Sequence, residues 1–207
     1  MASSIVSSPS RYNSYRTPTS LSYPAGAYTS GNYTQMSSSE CTVIYDGFVF
    51  NGIDLSTNIV GYKVSCEACT YNNSSSLYTS YLDFMLVTDY YNGQSSSTSN
   101  TYYTGITPGN IRIFESNVKN ETYASKSYTN TDTSSAEVQW MQNNIGLLTG
   151  GTKFGIRLAG ARCRVRNLKI TIYYAVPEIY IGGTRASSVY VGSTKATAVY
   201  IGSTRIL

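Results

Sequence analysis

The chain has 207 residues, 15 Lys/Arg against 11 Asp/Glu, 21 tyrosines and no histidine. The missing histidine excludes Ser-His-Asp and Cys-His catalysis, His-ligated metals and the commonest general base. Only 13% of residues are charged, so polarity rests on Ser, Thr, Asn and Tyr, which suit β-sheets with wettable, hydrogen-bonding faces.

Residues 1–40 are rich in Ser, Tyr, Thr and Pro and punctuated by Pro9, Pro18, Pro24, Gly26 and Gly31. Alone they could not offset their ordering entropy. They are expected to form an extended N-terminal arm, either flexible or ordered by lying along a partner, with Arg11, Tyr12, Tyr15 and Arg16 as anchors in the second case. The opening MASSIVSSPS has neither a basic n-region nor an apolar h-region, so it does not read as a signal peptide. No apolar run approaches the roughly 20 residues that span a bilayer.

From Cys41 the pattern is β. CTVIYDGFVF predicts a strand, Asn51-Gly52 a turn, and NIVGYKVSCEACTY a long strand with Tyr62, Val64, Cys66 and Ala68 on one face. SLYTSYLDFMLVTDY predicts the next strand and NIRIFESNV a shorter one. Residues 134–145 predict the single helix: Ser134 or Ser135 caps it, Glu137 lies in its first turn, and Gly146 ends it. Trp140, the sole tryptophan, reads as a core anchor or as a sugar-stacking platform. TKFGIRLAG and ARCRVRNLKITIYYAV predict two final strands. On the second, Arg164, Arg166, Leu168, Ile170, Ile172 and Tyr174 share a face that would change from charged to apolar. Seven or eight strands at this spacing make residues 41–176 an all-β, jelly-roll-type antiparallel β-sandwich.

The four cysteines, Cys41, Cys66, Cys69 and Cys163, include one C-x-x-C. A four-cysteine zinc site usually needs two close pairs. Buried reduced thiols are expected, and no metal or cofactor. Charge is uneven: residues 1–149 hold six basic and ten acidic groups, net −4, and residues 150–207 hold nine and one, net +8. This suits head-to-tail docking or an acidic partner. Nucleic acid is not expected as a partner, since no run of basic residues or recognition signature occurs. Without a nucleophile–base constellation, no catalytic residues are assigned. Asp46, Asp54, Asp83 and Asp89 read as turn or surface carboxylates.

Residues 177–207 hold three ten-residue repeats, EIYIGGTRAS, SVYVGSTKAT and AVYIGSTRIL. Tyr180, Tyr190 and Tyr200 fall in register, as do Gly182, Gly192 and Gly202, and then Arg185, Lys195 and Arg205. Each unit predicts a short strand, a two-residue turn and a second short strand. An even period keeps one face throughout. Units this small must stack on neighbours or on another chain, and a small β-meander or ladder is expected.

Units such as Val-Tyr-Val-Gly-Ser-Thr-Lys resemble the short C-terminal repeats of virion proteins of tailed phages and prophages of Gram-positive bacteria. The body is similar to β-sandwich modules of such proteins, through GFVFNGIDL, the Ile59-Val60-Gly61-Tyr62-Lys63-Val64 strand, and the closing pair at 154–158 and 164–174. The resemblance covers residues 41–207 and carries over no site residues. It implies a non-enzymatic virion accessory protein: fibre, spike, collar, tail-tip or capsid-decoration component. Such a protein would be made in the host cytoplasm, assemble with itself as a trimer and join other virion proteins. The alternative is a carbohydrate-binding adhesin recognising host-surface glycans, with Tyr90, Tyr91, Tyr102, Tyr103 and Trp140 as candidate contacts.

Overall fold

The structure is a computed structural model. It describes residues 2–8, 11–15, 28–30, 33–36, 41–71, 79–88, 104–107, 109–150 and 154–175, and six residue pairs between 180 and 205. In chain order the elements are β1 (Ala2–Ser7), β2 (Arg11–Tyr15), β3 (Tyr28–Ser30), β4 (Tyr33–Met36), β5 (Cys41–Asp46), β6 (Asn58–Thr70), β7 (Ser80–Thr88), β8 (Thr104–Gly105), β9 (Ile111–Ser116) and β10 (Ala124–Asn130). Helices α1 (Ala136–Asn143) and α2 (Ile145–Gly150) follow, then β11 (Phe154–Ala161) and β12 (Cys163–Ala175). Last come β13 (Tyr180–Ile181), β14 (Thr184–Arg185), β15 (Tyr190–Val191), β16 (Thr194–Lys195), β17 (Tyr200–Ile201) and β18 (Thr204–Arg205).

Two six-stranded antiparallel sheets pack as a β-sandwich of jelly-roll type. The first runs β10-β6-β12-β4-β3, with β1 also on β12; the second runs β2-β5-β11-β7-β8, with β9 also on β7. The inner faces are aliphatic and aromatic by alternation: Tyr62, Val64, Cys66 and Ala68 from β6 meet Leu82, Phe84 and Leu86 from β7 and Phe154, Ile156 and Leu158 from β11. Tyr62, Val64, Cys66 and Ala68 thus share the face that alternation predicts.

The described residues within 1–40 do not stand apart as an arm. β1 pairs with β12 over Ala2–Ser7, β2 with β5, and β4 with the start of β12. The sandwich therefore has no boundary at residue 41. Aliphatic content misled because these are edge or near-edge strands that need few core side chains. The Val49 N–H donates to Ser7 Oγ at 2.9 Å, tying β1 to the segment after β5. That segment is not strand: β5 stops at Asp46 because Gly47 takes φ +73°, a conformation natural to glycine. Phe48 and Phe50 beyond it still reach the core.

β12 does not keep the uniform alternation that its sequence predicts. Its core residues are Cys163 and Val165, then Leu168, Ile170 and Ile172, so the inward parity switches between 165 and 168. Arg166 pairs with Glu67 and Lys169 with Ser65, leaving Asn167 and Leu168 opposite Cys66. This is a β-bulge, with Asn167 at φ +55°. The left-handed backbone costs about 1–2 kcal/mol, least for Asn. Burying Leu168, Ile170 and Ile172 contributes about 5–9 kcal/mol in all. The bulge wins easily, and Arg164 and Arg166 stay outward throughout, instead of sharing a face with Leu168.

The expected helix forms as α1, with Ser135 as N-cap accepting from the Val138 N–H. Gly146 does not end it; α1 stops at Asn143 with Asn144 as its C-cap, and α2 begins at Ile145, with Gly146 inside. The side chain of Gln142 anchors α1 to the sheet, accepting from the Ile59 N–H at 2.6 Å and donating to Thr57 O at 2.9 Å. The polar strand β10 was invisible to hydrophobic pattern: ASKSYTN has no aliphatic residue beyond Ala124. Gly61 lets its end come close, since a Cβ there would lie 2.6 Å from Asn130 O.

The three repeats form three separate hairpins, β13–β14, β15–β16 and β17–β18. The two-residue connections match expectation; the meander or ladder does not, because no pairing joins one hairpin to the next among the described strands.

Candidate functional site

On the outward face of the first sheet, four neighbouring strands bring tyrosines and arginines together. β12 supplies Arg164 and Arg166; Gln35 of β4 pairs with Arg164 from one side and Cys69 of β6 from the other. Alternation carries Tyr33 on the same side as Gln35, and Glu67 and Tyr71 on the same side as Cys69. Tyr123 precedes β10, beside Cys69.

The Arg164 guanidinium lies 4.0 Å from the centroid of the Tyr71 ring and 5.0 Å from that of Tyr33. Its Nε donates to Gln35 Oε1 at 3.0 Å. Arg166 lies 4.0 Å from the Tyr123 centroid and its Nε donates to Glu67 Oε2 at 2.6 Å. Beneath this layer Gln35 and Cys69 are buried, while Tyr33, Tyr71, Tyr123 and Arg164 are half-buried. Burial pushes the Cys69 thiol above its ordinary pKa, against the pull of Arg164. Burial likewise raises Tyr123, whose enclosed hydroxyl makes no hydrogen bond of standard geometry. The arrangement holds two cations against ring faces and keeps its thiol protonated.

The C-x-x-C divides between two environments. Cys66 faces the core and Cys69 the tyrosine layer, as a spacing of three on a strand requires. Cys66 and Cys69 are buried free thiols, and Cys163 is buried with its Sγ within 3.2 Å of Tyr81 O. The side chain of Cys41 lies outside the described residues.

The residues singled out from sequence fare unevenly. Arg11, Tyr12 and Tyr15 lie in β2, paired with Asp46, Tyr45 and Thr42 of β5; Arg16 falls outside the described residues. Tyr180 pairs with Arg185, Tyr190 with Lys195 and Tyr200 with Arg205, one tyrosine–basic pair per hairpin. Gly182, Gly192 and Gly202 lie outside the described residues, as do Tyr90, Tyr91, Tyr102 and Tyr103. Trp140 is half-buried and stacks on Phe154 at 5.8 Å and 18°, so one indole face is taken by the core. Asp83 is bonded by Arg112, and Asp54 accepts from Ser56 in its own loop. The tyrosine–arginine layer itself was missed. Its signal was the alternation R-C-R-V-R, but Tyr33 and Gln35 sat in a presumed arm and Tyr123 beside an unrecognised strand.

No protein-family model matches the sequence, and no curated protein matches it. Among solved structures the chain is similar to the Clostridium thermocellum N-terminal endo-1,4-beta-D-xylanase 10B, CBM22-1–GH10 modules complexed with xylohexaose. Identity is 9% and the TM-score 0.29, over 73% of this chain and 20% of that one.

Proposed function

We propose that this chain is a non-enzymatic structural protein of a phage virion, assembling as a homo-oligomer through its C-terminal hairpins. The observation that carries the reading is the set of three hairpins in identical register, unpaired with the sandwich or with one another among the described strands. Two paired positions per hairpin are too few to persist alone in water. Copies from two or three chains, stacked at the ten-residue period, would supply the missing neighbours. The basic end also suits contact with the net-negative remainder of another copy. The virion setting rests on the resemblance of the repeats.

Light scattering on the full chain and on a chain cut after Ala175 tests this. The full chain is expected to run as a trimer, and the shortened one as a monomer with an unchanged melting temperature. An unchanged mass after truncation would overturn assembly through the hairpins. Absence of the chain from purified particles of a phage encoding it would overturn the virion setting.

A further inference from the structure

Arg164 differs from Arg166 and Arg112. Arg166 has Glu67, and Arg112 has Asp83 and Glu115. Arg164 has only the neutral amide of Gln35, on its Nε. Its two terminal nitrogens meet no carboxylate among the described residues, while Tyr33 and Tyr71 flank the guanidinium. A half-buried cation held rigid, with its outer fork unused, is built to receive a planar or tetrahedral oxyanion.

We propose that this face binds an anionic carbohydrate, a sugar bearing carboxylate or phosphate, with Arg164 gripping the oxyanion. Tyr33, Tyr71 and Tyr123 supply ring faces and hydroxyls for the sugar, and Glu67 an acceptor for its hydroxyls. The four strands span about 14 Å, three inter-strand spacings, enough for a short oligosaccharide. An acidic protein partner fits less well, because an interface core needs apolar side chains. The large exposed aliphatics, Val6, Val49, Leu55 and Val118, belong to other segments. The site is independent of the assembly reading and would survive its failure.

The test is an array of oligogalacturonate, hyaluronate fragments, sialyllactose and phosphorylated oligosaccharides, each beside a neutral or esterified counterpart. The full chain is applied, and the tightest hit is measured by calorimetry. Binding should follow the charge, with the neutral counterpart weaker by about tenfold or more. Arg164→Gln should lose as much. Arg164→Lys, which keeps charge and stem but not the fork, should lose several-fold, and Lys169→Gln on the same strand should lose nothing. Equal binding of charged and neutral forms, or no binding, overturns the proposal. So does a hit indifferent to both Arg164 variants. Polyglutamate binding as tightly in an Arg164-dependent way would replace the carbohydrate with an acidic protein.

Discussion

Both sheets set an arginine over a tyrosine on their outward faces, and they finish the contact in opposite ways. On the second sheet Arg112 lies 4.6 Å from the Tyr81 centroid, and Asp83 and Glu115 both bond it. The hydrogen bond that Arg112 donates to Asp83 holds its pKa above the ordinary value. That cluster is closed, with more negative charge than positive. On the first sheet Arg164 has two rings and one amide, and its charge is left open. The aromatic contact is common to both. What separates a structural clasp from a receptor is the acceptor at the guanidinium edge.

The largest test of this contrast is to strain what aims the first face outward. Asn167→Val keeps the strand length but puts a β-branched residue at φ +55°, where its side chain crowds its own backbone. Flattening the bulge offers no relief, because with the residue count unchanged one half of β12 would invert, turning Arg164 and Arg166 inward or Leu168, Ile170 and Ile172 out. The loss should be about 2–3 kcal/mol, read as a lower urea midpoint. Deleting Asn167 removes the extra residue and joins Arg166 to Leu168 in unbroken alternation, so it should keep the parity and cost less. A loss near zero in Asn167→Val would mean that the bulge does not set the parity.

That bulge also marks where sequence reading stopped. Alternation identified β7, β11 and β6 from Tyr62 onward because their inner residues there repeat every second position. On β12 a uniform period of two put Arg164 and Leu168 together, and no local turn signal stands out in R-V-R-N-L-K beyond Asn167. Edge strands escaped for a different reason. β1, β4 and β10 contribute few aliphatic side chains, and backbone pairing to β12 and β6 defines them. The tyrosine–arginine layer depends on three of these unread features at once: β4, the start of β10, and the bulge. The hairpins were legible from Gly-Gly and Gly-Ser at constant spacing, but their independence from one another is a pairing property.

A smaller effect comes from opening the closed face. Asp83 is 11% exposed and Arg112 45%, so Asp83→Ala leaves a partly solvated cation with Glu115 as its one carboxylate among the described residues. The cost should be about 1–2 kcal/mol, below that of a fully buried pair because water reaches Arg112. Urea titration would show it as a lower midpoint with an unchanged slope. A change near zero would place Arg112 among ordinary surface ion pairs and remove the contrast from that side.

The converse change closes the open face. Gln35→Glu offers Arg164 a carboxylate where the amide oxygen now sits 3.0 Å away. Desolvation of the buried carboxylate and the new ion pair largely cancel, so stability should shift by only about 0–1 kcal/mol. Affinity for an anionic sugar should fall about tenfold, since the charge is then met internally. Reduced affinity with unchanged stability would sharpen the comparison to a single acceptor.

The smallest effect at neutral pH lies on the inner faces. Beneath the open face, β6 buries Tyr62 and Cys66, whereas the inner residues of β7 and β11 are Leu82, Phe84, Leu86, Phe154, Ile156 and Leu158. Burial pushes the Cys66 thiol up to about 12 from 9.0, and burial, then Glu137 and Tyr128, raise Tyr62 above 10.0. Below pH 9 both states keep these protons, and stability does not depend on them. As pH climbs past 9 the unfolded chain releases protons that the folded chain retains, so stability falls until Cys66 itself ionises near 12. Tyr62→Phe removes one contributor and also a hydroxyl that makes no hydrogen bond of standard geometry, with only Asn130 near it. At pH 7 it should be neutral or stabilising by up to about 1 kcal/mol, and its stability should decline less than that of the parent between pH 9 and 11. Hydrogen exchange at pH 10 should show β6 and its neighbours loosening before β7 and β11. A decline as steep in Tyr62→Phe as in the parent would put the alkaline weakness outside the first sheet.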